Sequence, residues 1–242
     1  MKFLTDFYSA VDQKQVCVSA LQGNNFAKTI ADDYNPIHDT ASKRFCVPGD
    51  LLFAIAVEQY GLRSKMSFNF RGLIKANTPL CYPDRSLENG EFDVTCDRSK
   101  PVLGIQYSGD SSADSEKCEQ LVRNYVVFSG QNFPHILVPL MRKHDVMINP
   151  ERPLVIYESM SLVFDTLDFS DLCIELSATE LEVVGKRGNA QLHFSLNDGE
   201  KKIGIGLKRL VLSGLRQFDQ ASIDDMSEKY SASKAAHLNL SS

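Results

Sequence analysis

No apolar run in this 242-residue sequence reaches the roughly 18 residues that a helix needs to cross a bilayer. The first residues, Met1 to Gln15, also lack the continuous apolar core of a secretory signal peptide. Together these absences argue against a membrane-spanning or exported protein. We therefore expect a cytoplasmic location and no membrane partner.

Paired cysteines are also missing, although the chain has six cysteines. None forms a C-x-x-C pair, and no Cys/His cluster has the spacing of a zinc site. Reduced thiols that pack as small core residues are the expected state in a cytosolic protein. The sequence thus predicts no metal site, and nothing in it calls for a cofactor.

Basic residues are not in excess. The chain has 26 Lys and Arg against 31 Asp and Glu, which gives a net charge of -5. The basic residues are scattered, which argues against a nucleic-acid partner. The composition, 43% hydrophobic and 24% charged, is that of an ordinary globular protein. The length suits one large domain or two of about 100–120 residues.

The most informative stretch runs from Phe26 to Gly61. Asp33 and His38 lie five residues apart, with an Asn-Pro pair between them. A helix that begins near Phe26 should stop before the proline, because a residue preceding proline avoids the α region. Asp33 would then end the helix and His38 would follow in a loop. An Asp–His pair of this kind can hold water and move protons, but the spacing also fits a turn held by side-chain hydrogen bonds.

A second helix is predicted from Gly49 to Gly61. Its residues 51–57 are apolar on every face, which indicates a buried helix. Gly61 supplies a C-terminal stop. Asp50, in the first turn, either caps this helix or faces the same site as the Asp–His pair.

After this helix the hydrophobic period changes from 3.6 to 2, beginning with the strand Met66 to Phe70. Leu121 to Phe128 is also interpreted as a strand, and Gln131 to Val146 as another helix. Further strands are predicted at Ile156 to Phe164, Cys173 to Val184, Ala190 to Leu196 and Ile203 to Leu212. The chain therefore reads as a helix followed by antiparallel strands, twice, before a polar and only partly ordered end.

The segment IADDYNPIHDTASKRFCVPGDLLFA resembles the signature of the MaoC-like (R)-specific enoyl-CoA hydratases, a branch of the hotdog-fold superfamily. The matching positions are Asp33, Asn35, Pro36, His38, Ala41, Phe45 and Gly49. Two positions depart from the family: Pro48 stands where it has histidine, and Asp50 follows the glycine directly. The whole chain also resembles a proteobacterial family of unknown function, DUF3581, and is identified as a member.

The resemblance implies an α+β double hotdog, in which two curved antiparallel sheets each wrap around a central helix. Residues 1–128 would form an N-terminal unit that carries the motif, residues 129–216 a degenerate C-terminal unit, and residues 217–242 a polar tail. The second half lacks the motif, so one site per chain is expected. Since a double hotdog satisfies its pairing within one chain, a monomer or a homodimer is expected.

The implied activity is addition of water to a trans-2-enoyl thioester of CoA or an acyl-carrier protein, as in fatty acid metabolism. Asp33 and His38 would be catalytic. Asn35, Gly49 and Asp50 would line the substrate site, with backbone N–H groups at Gly49 facing the thioester oxygen. Two alternatives remain: a non-catalytic acyl-thioester-binding or regulatory protein, and an acyl thioesterase.

Overall fold

The computed structural model describes residues 1–12, 14–84, 89–96 and 99–240, which form an α+β fold. The strands are β1 (Ser9–Ala10), β2 (Gln15–Cys17), β3 (Leu62–Phe70), β4 (Leu80–Cys81), β5 (Gly90–Cys96), β6 (Pro101–Ser112), β7 (Val146–Met147), β8 (Val155–Phe164), β9 (Leu172–Val184), β10 (Arg187–Asp198), β11 (Lys201–Ser213) and β12 (Arg216–Gln217). The α-helices are α1 (Ala20–Asn25), α2 (Gly49–Tyr60), α3 (Ser115–Gly130), α4 (Asn132–His135), α5 (Leu137–Lys143) and α6 (Gln220–Leu240).

Ten of these strands form one antiparallel sheet in the order β1-β2-β4-β5-β6-β3-β8-β11-β10-β9. Counted outward from the centre, the four sheet strands that follow α2 and the four sheet strands that follow α3 have the same order: the first, then the fourth, the third and the second. In the first half these strands are β3, β6, β5 and β4, and in the second half β8, β11, β10 and β9. The repeat of element order predicted from the sequence is therefore present in the topology.

The two halves join where β3 pairs with β8, from Lys65 opposite Val163 to Asn69 opposite Ser159. The sequence predicted two curved sheets, and the structure has one continuous sheet in which the two halves pair edge to edge. Pairing of β3 with β8 satisfies backbone groups that would otherwise form two unprotected edges. One sheet therefore runs through both halves of the chain.

Helix α2 is buried from Asp50 to Val57, as its apolar sequence predicts. The Phe53 ring packs edge-on against Phe68 of β3, with centroids 5.1 Å apart, and against Tyr125 of α3, at 5.0 Å. The helix ends at Gly61, which adopts a φ of 70°. Helices α2 and α3 therefore share one core with the sheet.

The prediction of a strand at Leu121 to Phe128 is wrong, because this segment belongs to α3. Its β-branched and aromatic residues suit either structure, but its buried positions recur at helical spacing. The Asp114 side chain caps the helix by accepting the N–H groups of Glu116 and Lys117, at 2.9 and 3.2 Å. The boundary predicted between residues 128 and 129 falls inside this helix.

The single helix predicted from Gln131 to Val146 is also wrong. The segment contains two short helices, α4 and α5, and the β7 strand. Phe133 has an extended backbone, with φ −110° and ψ 130°, which breaks the helical path. Pro139 falls in the first turn of α5, where the proline nitrogen removes no hydrogen bond of the helix.

The polar end of the chain, predicted to be only partly ordered, forms the helix α6 in the described residues. Asp219 accepts the N–H of Ser222 at 2.8 Å and starts α6. Ile223 of α6 is buried in a second apolar cluster with Leu137, Met141 and Leu212. Residues 241–242 of the predicted tail lie outside the described residues. In the described part of the chain, no helix is long and apolar enough to pass through a membrane.

Candidate active site

A cavity of about 420 Å³ opens at the beginning of α2. It is bounded by residues 33–39, the first turn of α2, the junction of α3 with α4, the inner face of β11, and α6. The residues singled out from the sequence all line it: Asp33, Asn35, His38, Gly49 and Asp50. The fold therefore brings the predicted site residues to one place, together with residues from the second half.

Asp33 and His38 face each other in this cavity, with His38 Nε2 3.6 Å from Asp33 Oδ2. His38 Nδ1 lies 2.8 Å from the carbonyl oxygen of Cys46. A carbonyl only accepts hydrogen bonds, so Nδ1 must carry a proton. In the neutral imidazole, Nε2 is then the proton acceptor, next to the Asp33 carboxylate.

The chain between these residues is shaped by local hydrogen bonds. A π-helix, Phe26–Ile30, ends before Asp33, whose N–H bonds to the Ala27 carbonyl at 2.8 Å. The Asn35 N–H donates to Asp33 Oδ1 at 2.9 Å, and Asn35 Oδ1 accepts the N–H of Ile37 at 3.1 Å. Asn35 therefore stabilises the turn through its side chain and orients the Asp33 carboxylate through its backbone N–H. The helix ends somewhat earlier than the sequence suggested, while His38 closes a 3-10 turn.

The Asp33 side chain is 20% exposed, and its partial burial raises the pKa of the carboxyl above the ordinary value of an aspartate. Three charges or dipoles oppose that rise: His38, the Asn35 N–H and Lys208. A carboxyl with a raised pKa beside an imidazole is typical of groups that exchange protons.

Asp50 faces this cavity and does not act as an exposed cap. Its side chain is buried, and Ser129 Oγ, at the end of α3, lies 2.8 and 2.7 Å from its two carboxylate oxygens. Lys208 Nζ donates to the same Oγ at 2.5 Å and to the Ser129 carbonyl at 3.1 Å. The serine hydroxyl therefore links a carboxylate to an ammonium in the interior.

Lys208 is 3% exposed and lies on β11, with its Nζ 4.4 Å from the centroid of the Tyr157 ring. Burial lowers the pKa of Lys208, and the charges of Asp50 and Asp33 oppose this. Burial likewise raises the pKa of Asp50, opposed by Lys208 and by the Ser129 hydroxyl. Each charge thus stabilises the other in a site that would exclude either one alone.

Sequence reasoning did not identify Ser129 or Lys208. The available signal for Lys208 was its place in β11, where alternate residues from Gly204 to Leu212 are buried. A lysine among the inward positions of an apolar strand needs a partner. For Ser129 the signal was absent, because it lies between the strand predicted up to Phe128 and the helix predicted from Gln131.

Gly49 begins α2 beneath two aromatic rings. A Cβ at this position would lie 3.0 Å from Tyr157 Cδ1 and 3.2 Å from Phe70 Cε1, so this close packing favours glycine. The preceding residue, Pro48, supplies no side-chain cap. The first-turn N–H groups of a helix have no intrahelical partner and carry partial positive charge. The start of α2 therefore presents donors to the cavity.

The rest of the cavity is largely apolar, and α6 covers one side of it. The apolar lining includes Phe70, Leu73, Leu137, Ile148, Val155 and Leu210. The Tyr230 hydroxyl on α6 donates to the carbonyl oxygens of Asp32 and Gly130, at 3.2 and 3.4 Å. Lys234 also pairs with the Asp32 carboxylate. The site thus combines a polar end with an apolar wall that could hold a hydrocarbon chain.

Distant likenesses to solved structures accompany this geometry. A tesB protein of Mycobacterium avium subspecies paratuberculosis is 11% identical, with a TM-score of 0.47, over 87% of this chain and 98% of that chain. An acyl-CoA thioesterase II of Mycobacterium marinum is 8% identical, with a TM-score of 0.40, over 90% and 98%. A hot dog fold protein of unknown function from Alicyclobacillus acidocaldarius is 9% identical, with a TM-score of 0.46, over 88% and 98%. At such low similarity, function rests on the site residues.

No curated protein matches the sequence. Residues 2–221 match the family model described as "Protein of unknown function (DUF3581)". The match spans nearly all of the chain up to the start of α6 and confirms the membership predicted from the sequence. The chain belongs to the DUF3581 family.

Proposed function

We propose that the cavity binds an acyl thioester of CoA or an acyl-carrier protein and hydrolyses it to a carboxylic acid and a thiol. The observation that carries the proposal is one cavity in which the uncapped start of α2 adjoins two acid–base groups. One group is the Asp33–His38 pair, and the other is Asp50 with Ser129 and Lys208. The apolar wall suits the acyl chain.

In this proposal the thioester carbonyl oxygen lies against the first turn of α2. Attack on the carbonyl carbon turns this oxygen into an anion, which the N–H groups at Gly49 and Asp50 would stabilise. Loss of one such donor costs about 3–4 kcal/mol of barrier in studied enzymes. The glycine lets the substrate approach the backbone closely.

Water is the nucleophile, and His38 is the base. Nε2 takes a proton from the water as its oxygen bonds to the carbonyl carbon, and Asp33 stabilises the imidazolium that forms. The carbon–sulfur bond then breaks, and His38 returns the proton to the departing sulfur. The products are RCOOH and R′SH, so atoms and charge balance without a cofactor.

Asp50 would repel an oxyanion if it carried an unbalanced charge. Lys208, linked to it through Ser129, offsets that charge and keeps the potential at the start of α2 favourable for an anion. A carboxylate directly after Gly49 is therefore compatible with an oxyanion at the start of α2. The pairing of Asp50 with Lys208 also assigns the second half of the chain a part in the single site.

We also propose that the fold is a double hotdog, with α2 and α3 as the two central helices. The support is the strand order, which repeats after each helix within the continuous sheet. Because α3 begins at Ser115, the first unit would end near Ala113, and not at residue 128. The second unit would then run to about residue 216, with α6 as an addition.

Hydration of a trans-2-enoyl thioester is the second candidate. It is favoured by the D-x-N-P-x-H spacing, since Asp33, Asn35 and His38 do lie together. Hydrolysis is preferred because the two departures from the hydratase signature, Pro48 and Asp50, lie at the start of α2, where the thioester carbonyl would bind. Hydration needs acid–base groups at the double bond, further along the acyl chain.

A comparison of saturated and trans-2-enoyl CoA thioesters of equal length separates these activities. Hydrolysis releases CoA thiol from both substrates, and a thiol reagent measures it. Hydration consumes the enoyl absorbance without thiol release and leaves the saturated substrate unchanged. Thiol release from the saturated substrate is the expected result.

Loss of enoyl absorbance without thiol release from either substrate would show that the activity is hydration and not hydrolysis. Thermal stabilisation by the saturated acyl-CoA without any turnover would instead indicate a binding or regulatory protein, because a ligand of the native state raises its stability. A result with neither turnover nor stabilisation would overturn the acyl-thioester proposal.

A further inference from the structure

Asn132, the first residue of α4, is the least satisfied polar group of the cavity wall. Its side chain is 5% exposed and lines the cavity just beyond Ser129 and Gly130. Within the described part of the chain, neither its Oδ1 nor its Nδ2 has a hydrogen-bond partner. A buried amide left unpaired costs about 1–3 kcal/mol per group, so native proteins rarely retain one without a reason.

Other buried polar atoms without partners lie elsewhere. They belong to four residues that do not line the cavity: Arg63, Asp93, Tyr107 and His193. Asn132 differs because it lines the cavity and lacks both a donor and an acceptor partner. An unpaired side chain of this kind indicates a ligand that completes it.

The chemistry of the carboxamide limits what that ligand is. It offers an acceptor and a donor side by side and has no charge, so its complement is another amide rather than a phosphate or a carboxylate. A hydrocarbon chain offers neither group. The complement therefore belongs to the part of the substrate that carries the acyl group.

We propose that Asn132 binds an amide of the pantetheine arm, which CoA and acyl-carrier proteins share. This inference rests on the proposed thioester substrate and deepens it. The first amide nitrogen of that arm lies two carbons from the thioester sulfur. Asn132 lies three residues after Ser129, a span of at most about 11 Å, so a substrate held at the start of α2 can reach it.

The test uses thioesters with one acyl group and two thiols. N-acetylcysteamine keeps the first amide of the arm, and an alkanethiol of the same chain length lacks it. We expect the wild-type protein to hydrolyse the amide-bearing ester with kcat/KM about 10- to 100-fold higher, since a buried amide left unpaired is costly. Equal values for the two esters overturn the inference, and this comparison needs no variant.

The variant Asn132→Leu has a similar volume and no hydrogen bonds. It should lose the preference by lowering kcat/KM for the amide-bearing ester while leaving that for the alkanethiol ester within about twofold. An equal loss on both esters would assign Asn132 to the thioester carbonyl or to folding, and would overturn a role in the arm. Asn197→Ala is the matched control, because Asn197 is a buried asparagine outside the cavity whose Nδ2 donates to Ser195 Oγ at 3.1 Å. It should preserve the preference.

A binding measurement separates this inference from the proposed activity. Free pantetheine should raise the Tm of the wild-type protein and not that of Asn132→Leu. That result without any thioester turnover would support the arm site while the hydrolase proposal fails. Pantetheine that stabilises both proteins equally, or neither, would count against the arm site whatever the activity.

Discussion

In the proposed double hotdog the starts of helices α2 and α3 are equivalent, yet they differ in burial and in capping. The α3 start is exposed, and Asp114 satisfies its N–H groups. The α2 start is buried, follows Pro48 and has no side-chain cap. A capped start serves stability alone, whereas an uncapped start inside a cavity is available to an anion. The comparison explains why one site per chain is expected from two similar halves.

The charged residues of the cavity differ from those on the outer strands of the second half. In the cavity, the side chains of His38 and Asp33 are 12% and 20% exposed, and Asp50 and Lys208 are buried. In the second half, His193 Nε2 also lies 3.6 Å from a carboxylate, Glu180, but outside the cavity and with side chains that are 37% and 64% exposed. The equal separation in different surroundings makes His193 a control for His38.

The largest expected effect concerns the base. His38→Ala should lower thioester hydrolysis by about 10²–10⁴-fold, because general base catalysis contributes that much. His193→Ala removes an imidazole with the same carboxylate distance from the second half and should leave kcat/KM unchanged. Steady-state assays of thiol release compare the two variants. Similar activities for both would remove His38 from the mechanism.

The next effect concerns the buried charge pair. Lys208→Met leaves Asp50 without its counter-charge and should cost about 3–5 kcal/mol of unfolding free energy, measured in urea. Adding Asp50→Asn to the same chain removes the unbalanced charge and should recover most of the loss.

The exposed pair of Arg187 with Glu158, at 3.8 Å in the second half, is the control. Arg187→Met should change the free energy of unfolding by less than about 1 kcal/mol. Should Lys208→Met prove equally mild, the coupling assigned to the interior pair would be wrong.

A smaller effect distinguishes the two helix starts. Gly49→Ala forces a methyl group against Tyr157 and Phe70 and should cost about 1–3 kcal/mol of unfolding free energy. It should also lower kcat/KM, since the N–H donors of the site move with the helix start. Asp114→Ala should cost about 1 kcal/mol through loss of the cap, with kcat/KM unchanged. An unchanged kcat/KM in Gly49→Ala would contradict the proposed oxyanion site.

The smallest effect concerns how the stability contributions of Asp33 and Asp198 change with pH, because the two contributions should have opposite signs. Burial raises the pKa of Asp33, so its contribution to stability is present below the unfolded pKa and is lost as the pH rises through the folded value. Asp33→Asn should therefore be more stable than the wild type near neutral pH, with the gap closing in acid. Thermal unfolding over a pH series measures this gap.

Asp198 in the second half should behave in the opposite way. The N–H groups of Ser170 and Asp171 lower its pKa, so its contribution is present above the unfolded pKa and is lost as the pH falls. Asp198→Asn should be less stable than the wild type near neutral pH, and the gap should again close in acid. The same sign for both variants would show that burial does not control Asp33.

Local pattern was enough to predict several features. The buried helix after Pro48 follows from an apolar run with no polar face, and the strand after it follows from alternation. All six cysteines are unpaired, in line with their isolated spacing. Helix α3 was missed because Leu121 to Phe128 is rich in β-branched and aromatic residues, and its helical spacing matters only once a core lies against one face.

By itself, the sequence determined the Asp33–His38 pair and the start of α2, because short-range turns and a proline hold these residues close along the chain. Only the tertiary structure decided what surrounds them. Ser129 lies 79 residues from Asp50, and Lys208 lies 79 residues from Ser129. No local pattern predicts contacts across such distances. They form because the continuous sheet brings β11 beneath the end of α3, where a buried carboxylate and a buried ammonium stabilise each other.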